Sequence, residues 1–336
     1  MTRILTDGAE FGDGLFFELG NALTTTSQKR TGNYSYYSQG AAGTTPEKLL
    51  PTHMSEFYFR YCCLLVDGGV DWWELVDFNH VSTNVIRLKL DTDLHLHIFV
   101  GNTDVVTGIY PFTNDYWHII DMHICVATSG SVQVKLDGVM DMQYFGDTRG
   151  NSQTEIDRFI FGASYHLGFY PWQYIDDIAL NNTSGSVDNT WCGDGHVELL
   201  RPNAEGDLLE WVPSSGSVHY AMVDDFPPNG DTDYIGTILP NKQELFNLSA
   251  FDDTNKLVRR VYSEMRARDM SAVGQVLKLG VKTSGSTYLS DSRVLTYNYL
   301  CIKGDEMLVN PITGLAWTKD ELDALQFVVN SESIIG

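Results

Sequence analysis

The sequence is short of cations. It holds 22 Lys and Arg against 44 Asp and Glu, a net charge of −22. The imbalance is even along the chain: residues 1–185 carry 10 basic against 22 acidic side chains, and residues 186–336 carry 12 against 22. A uniformly acidic surface repels phosphate, so neither nucleic acid nor an anionic membrane surface is an expected partner. Cysteine is also scarce, at five, an odd number with no C-x-x-C pair. Neither a disulfide scaffold nor a zinc ribbon is supported. No apolar run approaches membrane-span length, and the opening MTRILTDGAEFGDG has no apolar stretch of the secretory type. The expectation is a chain made in the cytoplasm without a signal peptide and without membrane insertion. G-x-S-x-G, H-E-x-x-H, P-loop and G-x-G-x-x-G patterns are absent as well.

What is present favours β structure. Seventeen Tyr, sixteen Phe and seven Trp accompany many Thr, Ser, Gly and Val residues. Strand-like runs fall at 57–66, 73–78, 84–90, 94–100, 117–126, 132–136, 158–162 and 174–180, with turn clusters between them. The run 181–189, NNTSGSVDN, is polar and without period. With 336 residues the chain exceeds what one core usually serves. The expected organisation is a first domain over 1–183, a linker over 184–190 and a second domain over 191–336. Later strands are expected at 196–200, 257–267, 275–282 and 294–302. Thr318-Lys-Asp-Glu321 reads as a capping box opening a helix of about three turns. The fold class is all-β: two β-sandwich, jelly-roll-like domains, the second with a short C-terminal helix.

The clearest local signal is WHIIDMHICVATSGSVQVKLDGVM, residues 117–140. Ile120, Met122 and Ile124 alternate with Ile119, Asp121 and His123, and Val132, Val134 and Leu136 alternate with Ser131, Gln133 and Lys135. This is an antiparallel hairpin with one wet face. Asp121, His123, Gln133 and Lys135 on that face are the candidates for a subunit contact.

Placed in order along the chain, several pieces resemble the concanavalin A-like, laminin-G-like jelly roll. They are Gly8-Ala9-Glu10-Phe11, Arg30-Thr31-Gly32-Asn33-Tyr34-Ser35, Ser55-Glu56-Phe57-Tyr58-Phe59-Arg60, the hairpin, and Tyr174-Ile175-Asp176-Asp177-Ile178. The second half is similar to a domain of tailed-bacteriophage structural proteins. That likeness rests on Val197–Asn203, Glu210-Trp211-Val212-Pro213, Asp231–Ile235, Pro311–Thr318 and Ala324–Phe327. Together the two resemblances imply a non-enzymatic structural part of a tailed-phage virion, tail-associated, that assembles with copies of itself and with other virion proteins. A glycan-binding adhesin recognising a host-surface glycan, and a capsid decoration or head-fibre protein, are the alternatives.

Candidate sites follow. Related jelly rolls pair a closing-strand acid with an N-terminal acid around a structural calcium. The resemblance puts Asp176 and Asp177 with Asp7 and Glu10 in that role. The alternative is that these acids accept backbone N–H bonds or cap a turn. Ideal alternation places Asp176 with Tyr174, Ile178 and Leu180. His95, His97 and His123, with Asp93 and Asp121, would offer zinc ligands if their strands paired; otherwise they form a solvated face. Aromatics near turns, Trp72, Tyr170 and Trp172, are candidates for stacking on sugar rings, against the alternative of core packing. Glycosidases on this sandwich carry E-x-D-x-x-E. Glu155-Ile156-Asp157 begins that pattern, but position 160 is Ile and position 159 is Phe. The paired carboxylates are missing there, so no catalytic residue is assigned.

Overall fold

The computed structural model describes every residue except 1–2, 11, 13–15, 18–22, 39–44, 68–70, 163–170, 226, 253–255, 272–273 and 333–336. It is nearly all β. The chain divides into two compact units, Met1–Glu198 and Leu199–Gly336. Residues 184–198 therefore belong with the first unit.

The first unit has fourteen strands among its described residues: β1 (Arg3–Asp7), β2 (Leu23–Thr25), β3 (Ser35–Ser38), β4 (Glu47–Met54), β5 (Glu56–Val66), β6 (Trp73–His80), β7 (Thr83–Leu90), β8 (His95–Val100), β9 (Thr103–Pro111), β10 (His118–Cys125), β11 (Gly130–Leu136), β12 (Val139–Gly146), β13 (Ile156–Phe161) and β14 (Trp172–Asn182). They make two antiparallel sheets. One runs β12-β11-β10-β5-β14-β3-β2, with β1 also on β14; the other runs β4-β13-β6-β7-β8-β9. Their inner faces share one apolar core. Phe59 of the first sheet meets Phe78 at 5.1 Å and Phe159 at 4.8 Å between ring centroids on the second. Alternation explains the inward set: Ile86, Leu88 and Leu90 on β7 and Ile120, Met122 and Ile124 on β10 are all buried. All eight runs expected in this half are strands. The other six, β1–β4, β9 and β12, are additional.

The hairpin forms in the expected register, with Met122 opposite Val134 and His123 opposite Gln133. Asp137 and Gly138 both take positive φ, 51° and 82°, and form the two-residue turn into β12 that needs it. The wet face is not free, however. The chain's own segment 191–195 lies on this sheet. Gly193 N–H donates to Asp121 at 2.9 Å, Lys135 Nζ sits 3.9 Å over the Trp191 ring, and Arg60 donates to the Gly195 carbonyl at 2.5 Å. His123 stacks on Tyr58 at 4.4 Å and bonds Glu56 and Gln133. The surface expected for a subunit contact (Asp121, His123, Gln133, Lys135) is thus largely engaged within the unit, which is why Asp121 is buried.

Register breaks occur in several ladders of the first unit, and those in β6 and β14 re-aim acids. In β6, Glu74 pairs with Lys89 and Val76 with Leu88, so Leu75 is the extra residue. In β14 the register shifts between Asp176 and Ala179, with Asp177 at φ 50°. Ile178 and Leu180 therefore turn into the core with Ile175, and Asp176 does not share their face as ideal alternation had it. The Leu75 bulge is pinned from the opposite sheet by a fully buried amide. Gln173 Nε2 donates to the Leu75 carbonyl at 2.8 Å, and Trp73 Nε1 donates to Gln173 Oε1 at 3.2 Å.

The second unit contains β15 (Pro202–Leu209), β16 (Val212–Pro213), β17 (Ile235–Gly236), β18 (Gln243–Leu248), β19 (Glu264–Ala267), β20 (Val276–Thr283), β21 (Ser286–Leu289), β22 (Arg293–Val294), β23 (Leu300–Lys303), α1 (Lys319–Asp323) and β24 (Gln326–Glu332). Its main sheet runs β15-β18-β24-β20-β21, with β22 on β20; β16-β17 and β19-β23 are two-stranded ribbons. The capping box forms, but the helix ends at Asp323. The β-branched pair Val328-Val329 is buried in the central strand β24, and this pairing on both sides overrides the helical spacing of Leu322, Leu325 and Phe327. Residues 196–200 form no strand, only 264–267 of the run 257–267 is a strand, and 294–302 splits between β22 and β23. No helix among the described residues is long and apolar enough to cross a membrane.

Replacing Gln173 with Leu should cost about 1–3 kcal/mol of stability, since it leaves the Trp73 indole N–H buried without a partner and the Leu75 carbonyl with only the 3.4 Å bond from Gly162 N–H. Urea unfolding followed by tryptophan fluorescence checks this, with Ser27→Ala as an exposed control.

Candidate functional site

The four acids expected to hold calcium are fastened to the chain itself. Asp7 Oδ1 accepts from Ala9 N–H and the Tyr36 hydroxyl, both at 2.8 Å. Glu10 accepts from Asn33 N–H at 3.0 Å, and Asp176 from the N–H groups of Arg30 at 3.0 Å and Thr31 at 3.3 Å. Asp177 receives Arg30 Nη1 at 2.8 Å, the Thr31 hydroxyl at 3.1 Å and Val197 N–H at 3.1 Å. These bonds anchor the loop Arg30–Tyr34. Gly32 in that loop has φ +59°, and a Cβ there would fall 2.0 Å from Glu10 Oε1, so glycine is required. The arrangement is the backbone-bonding alternative to a cation site. Burial pushes the Glu10 carboxyl up to about 7 despite the Asn33 and Tyr34 N–H groups, and burial with the Asp177 charge raises Asp176 to about 8.

The zinc arrangement does not form. His95 and His97 lie on β8 and His123 on β10, in different sheets. His97 is held by Asp104 at 2.8 Å and Asp91 at 3.0 Å. Among the described residues, the group whose atoms could hold a metal is a different one: His53, His80 and Glu155, with their ligand atoms all within 4.8 Å of one another.

The densest polar array lies on the outer face of the six-stranded sheet. Ile160, Asp77, Arg87 and Phe99 stand opposite one another on successive strands, and Glu74, Lys89 and His97 form a second row beside them. At about 4.8 Å per strand, each row spans several neighbouring strands of the sheet. Glu74 Oε1 is 2.9 Å from Arg87 Nη1 and 2.5 Å from Lys89 Nζ. Arg87 is held by the Gly101 carbonyl and Asn102, which fixes the guanidinium. Asp77 is 2% exposed, and its Oδ1 is buried without a hydrogen-bond partner. Burial pushes its carboxyl well above the ordinary range, the Glu74 charge adds to this, and Arg87 and Lys89 oppose it.

Glu74 and Asp77 are three residues apart, which in a regular strand would put them on opposite faces. The Leu75 bulge brings them to one face. The sequence reading looked for the second acid at position 160; Ile160 is there, and directly across from it stands Asp77. This pair was missed because a bulge leaves no mark in hydrophobic periodicity.

Of the aromatic candidates, Trp72 borders this face, packing edge-on against His97 at 4.7 Å and Phe99 at 5.7 Å. Trp172 is on the other sheet, 36% exposed, stacked on Tyr174 at 6.3 Å with 12° between planes and beside Tyr37 at 5.5 Å. Tyr170 lies outside the described residues.

No family model and no curated protein matches the chain. Solved structures similar to it include an endo-β-1,4-glucuronan lyase from the fungus Trichoderma reesei, 12% identical over 54% of this chain and 96% of that one, with a TM-score of 0.43. An alginate lyase is 13% identical over 53% and 93%, with a TM-score of 0.38. A carbohydrate esterase from the Shiga toxin-encoding bacteriophage phi24B is 15% identical over 54% and 98%, with a TM-score of 0.40. The expectation of a non-enzymatic structural subunit is corrected here. That expectation leaned on the absence of a carboxylate pair, and the sheet carries one in Glu74 and Asp77. At these identities and TM-scores the likeness transfers no activity, so the reading of function rests on the geometry.

The raised Glu10 and Asp176 carboxyls have a pH signature. Above about pH 4.5 the unfolded chain releases protons that the folded chain keeps to about 7 and 8, so stability falls as pH rises through this window. Unfolding free energies measured from pH 4.5 to 8 should decline, and Glu10→Gln should make the decline shallower.

Proposed function

We propose that the first unit binds a polysaccharide chain across the outer face of its six-stranded sheet and cleaves a glycosidic linkage there. One observation carries this reading: Glu74 and Asp77 share a face in opposite electrostatic settings. Two carboxylates whose surroundings separate their proton affinities are the arrangement that divides acid and base roles. Asp77, whose carboxyl burial holds well above the ordinary range, gives its proton to the departing sugar oxygen; water then adds to the anomeric carbon and its proton returns to the Asp77 carboxylate. Glu74, ion-paired with Arg87 and Lys89, is the negative partner facing the positive charge that develops on the sugar ring. Trp72 supplies an aromatic edge beside the pair, where a pyranose face can stack.

Release of reducing ends from a panel of neutral and uronic polysaccharides tests the proposal. Glu74→Gln and Asp77→Asn should each lower kcat by roughly 100-fold or more with the fold retained. Trp72→Ala should mainly raise KM. Product formation unchanged in both carboxylate variants, or no product from any polysaccharide, contradicts it.

A further inference from the structure

We propose that His53, His80 and Glu155 form a binding site for a first-row divalent transition metal, zinc by ligand type. The three residues come from the same end of three neighbouring strands. His53 is near the end of β4, Glu155 immediately precedes β13, and His80 ends β6, in a sheet ordered β4-β13-β6. Antiparallel pairing sets this: Ile156 lies opposite Met54 and Arg158 opposite Asn79, so Glu155 and His80 flank these pairs, and the register break after Ile156 leaves His53 in the irregular stretch beside them.

The local geometry suits a metal. His53 Nδ1 is 2.7 Å from Glu155 Oε1, and the His53 and His80 rings meet edge to face at 5.3 Å. Ligand atoms of all three lie within 4.8 Å of one another. Ligands at ~2.0–2.1 Å from a tetrahedral zinc stand roughly 3.3 Å apart, so small side-chain rotations close the site. A second observation points the same way. His80 Nδ1 is buried without a hydrogen-bond partner, and the nearest acid, Asp157, stays at 3.8 Å. Asp157 is not available to fill that role, because its oxygens accept from Val81 N–H and Arg158 Nε, both at 2.9 Å. Two imidazole nitrogens and one carboxylate favour zinc or its neighbours over calcium, which takes six to eight oxygens. Three protein ligands leave a fourth position for water.

The test uses the full chain, free of any affinity tag and stripped with chelator. Zinc titrated by calorimetry should bind at one equivalent, and cobalt should develop the visible ligand-field bands of a tetrahedral site. His53→Ala and His80→Ala should each weaken zinc binding more than about tenfold, beyond the loss that even supporting residues produce. Glu155→Gln, which keeps the shape, should weaken it too, while His95→Ala on β8 should not. Circular dichroism and melting curves matching the parent show that each variant is folded. No stoichiometric zinc binding, equal affinity in the His53 and His80 variants, or calcium competing on even terms with zinc overturns the proposal.

Discussion

A single inserted residue, Leu75, sets the chemistry of the first unit. Without it, β6 would send Glu74 and Asp77 to opposite faces, one into the aromatic core and one outward. With it, both acids stand on the outer face while Val76 and Phe78 still point inward. The insertion frees a backbone carbonyl in the middle of the sandwich, and a buried carbonyl needs a donor. Gln173 of the opposing sheet provides the shorter bond, beside a 3.4 Å bond from Gly162 N–H, and its own oxygen is filled by Trp73. The core and the outer face are therefore linked through one amide.

The outer faces of the two sheets use charge differently. On the β5-β14 side, Asp176 spends its lone pairs on the backbone N–H groups of Arg30 and Thr31, and Asp177 on Arg30, Thr31 and Val197; Asp121 accepts from Gly193 N–H through one oxygen while its Oδ1 is buried without a partner. These bonds offset only part of the desolvation, which still raises the Asp176 and Asp121 carboxyls. On the β6-β7 side, Glu74 is met by two cations, whereas Asp77 keeps an oxygen without a partner. A buried carboxyl oxygen without a partner brings no stability; what sets this face apart is that its orphan stands beside a second acid held by two cations.

Much of the fold was legible in the sequence, for a definite reason. Strands such as β7, β10 and β11 have one buried face, so period-two alternation encodes them and their register. The capping box at Thr318–Glu321 is equally local and forms as written. What alternation could not encode were the bulges at Leu75 and Asp177, since each shifts the pattern by one residue without changing composition. The site was hidden for the same reason. Its acids come from β6, its cations from β7 and its flanking His97 and Phe99 from β8, joined only by register. The metal triad is similar: His53, His80 and Glu155 are far apart in sequence, and antiparallel order alone brings them together. Trp72 was legible as an aromatic near a turn, although its neighbours were not. The polar hairpin face misled because the segment that occupies it, 191–195, begins where a second domain had been expected.

The central claim is that the bulge holds two carboxylates on one face in opposite electrostatic settings, Glu74 against two cations and Asp77 buried. Carbon-13 NMR titration of aspartate-labelled protein, with Asp77→Asn assigning the resonance, tests this directly. The account predicts that Asp77 titrates well above the ordinary carboxylate range and that removing the neighbouring charge with Glu74→Gln makes its proton easier to lose. Because the Glu74 charge raises the Asp77 carboxyl, the expected direction is downward. An Asp77 resonance that titrates in the ordinary carboxylate range, unmoved by Glu74→Gln, would contradict the account.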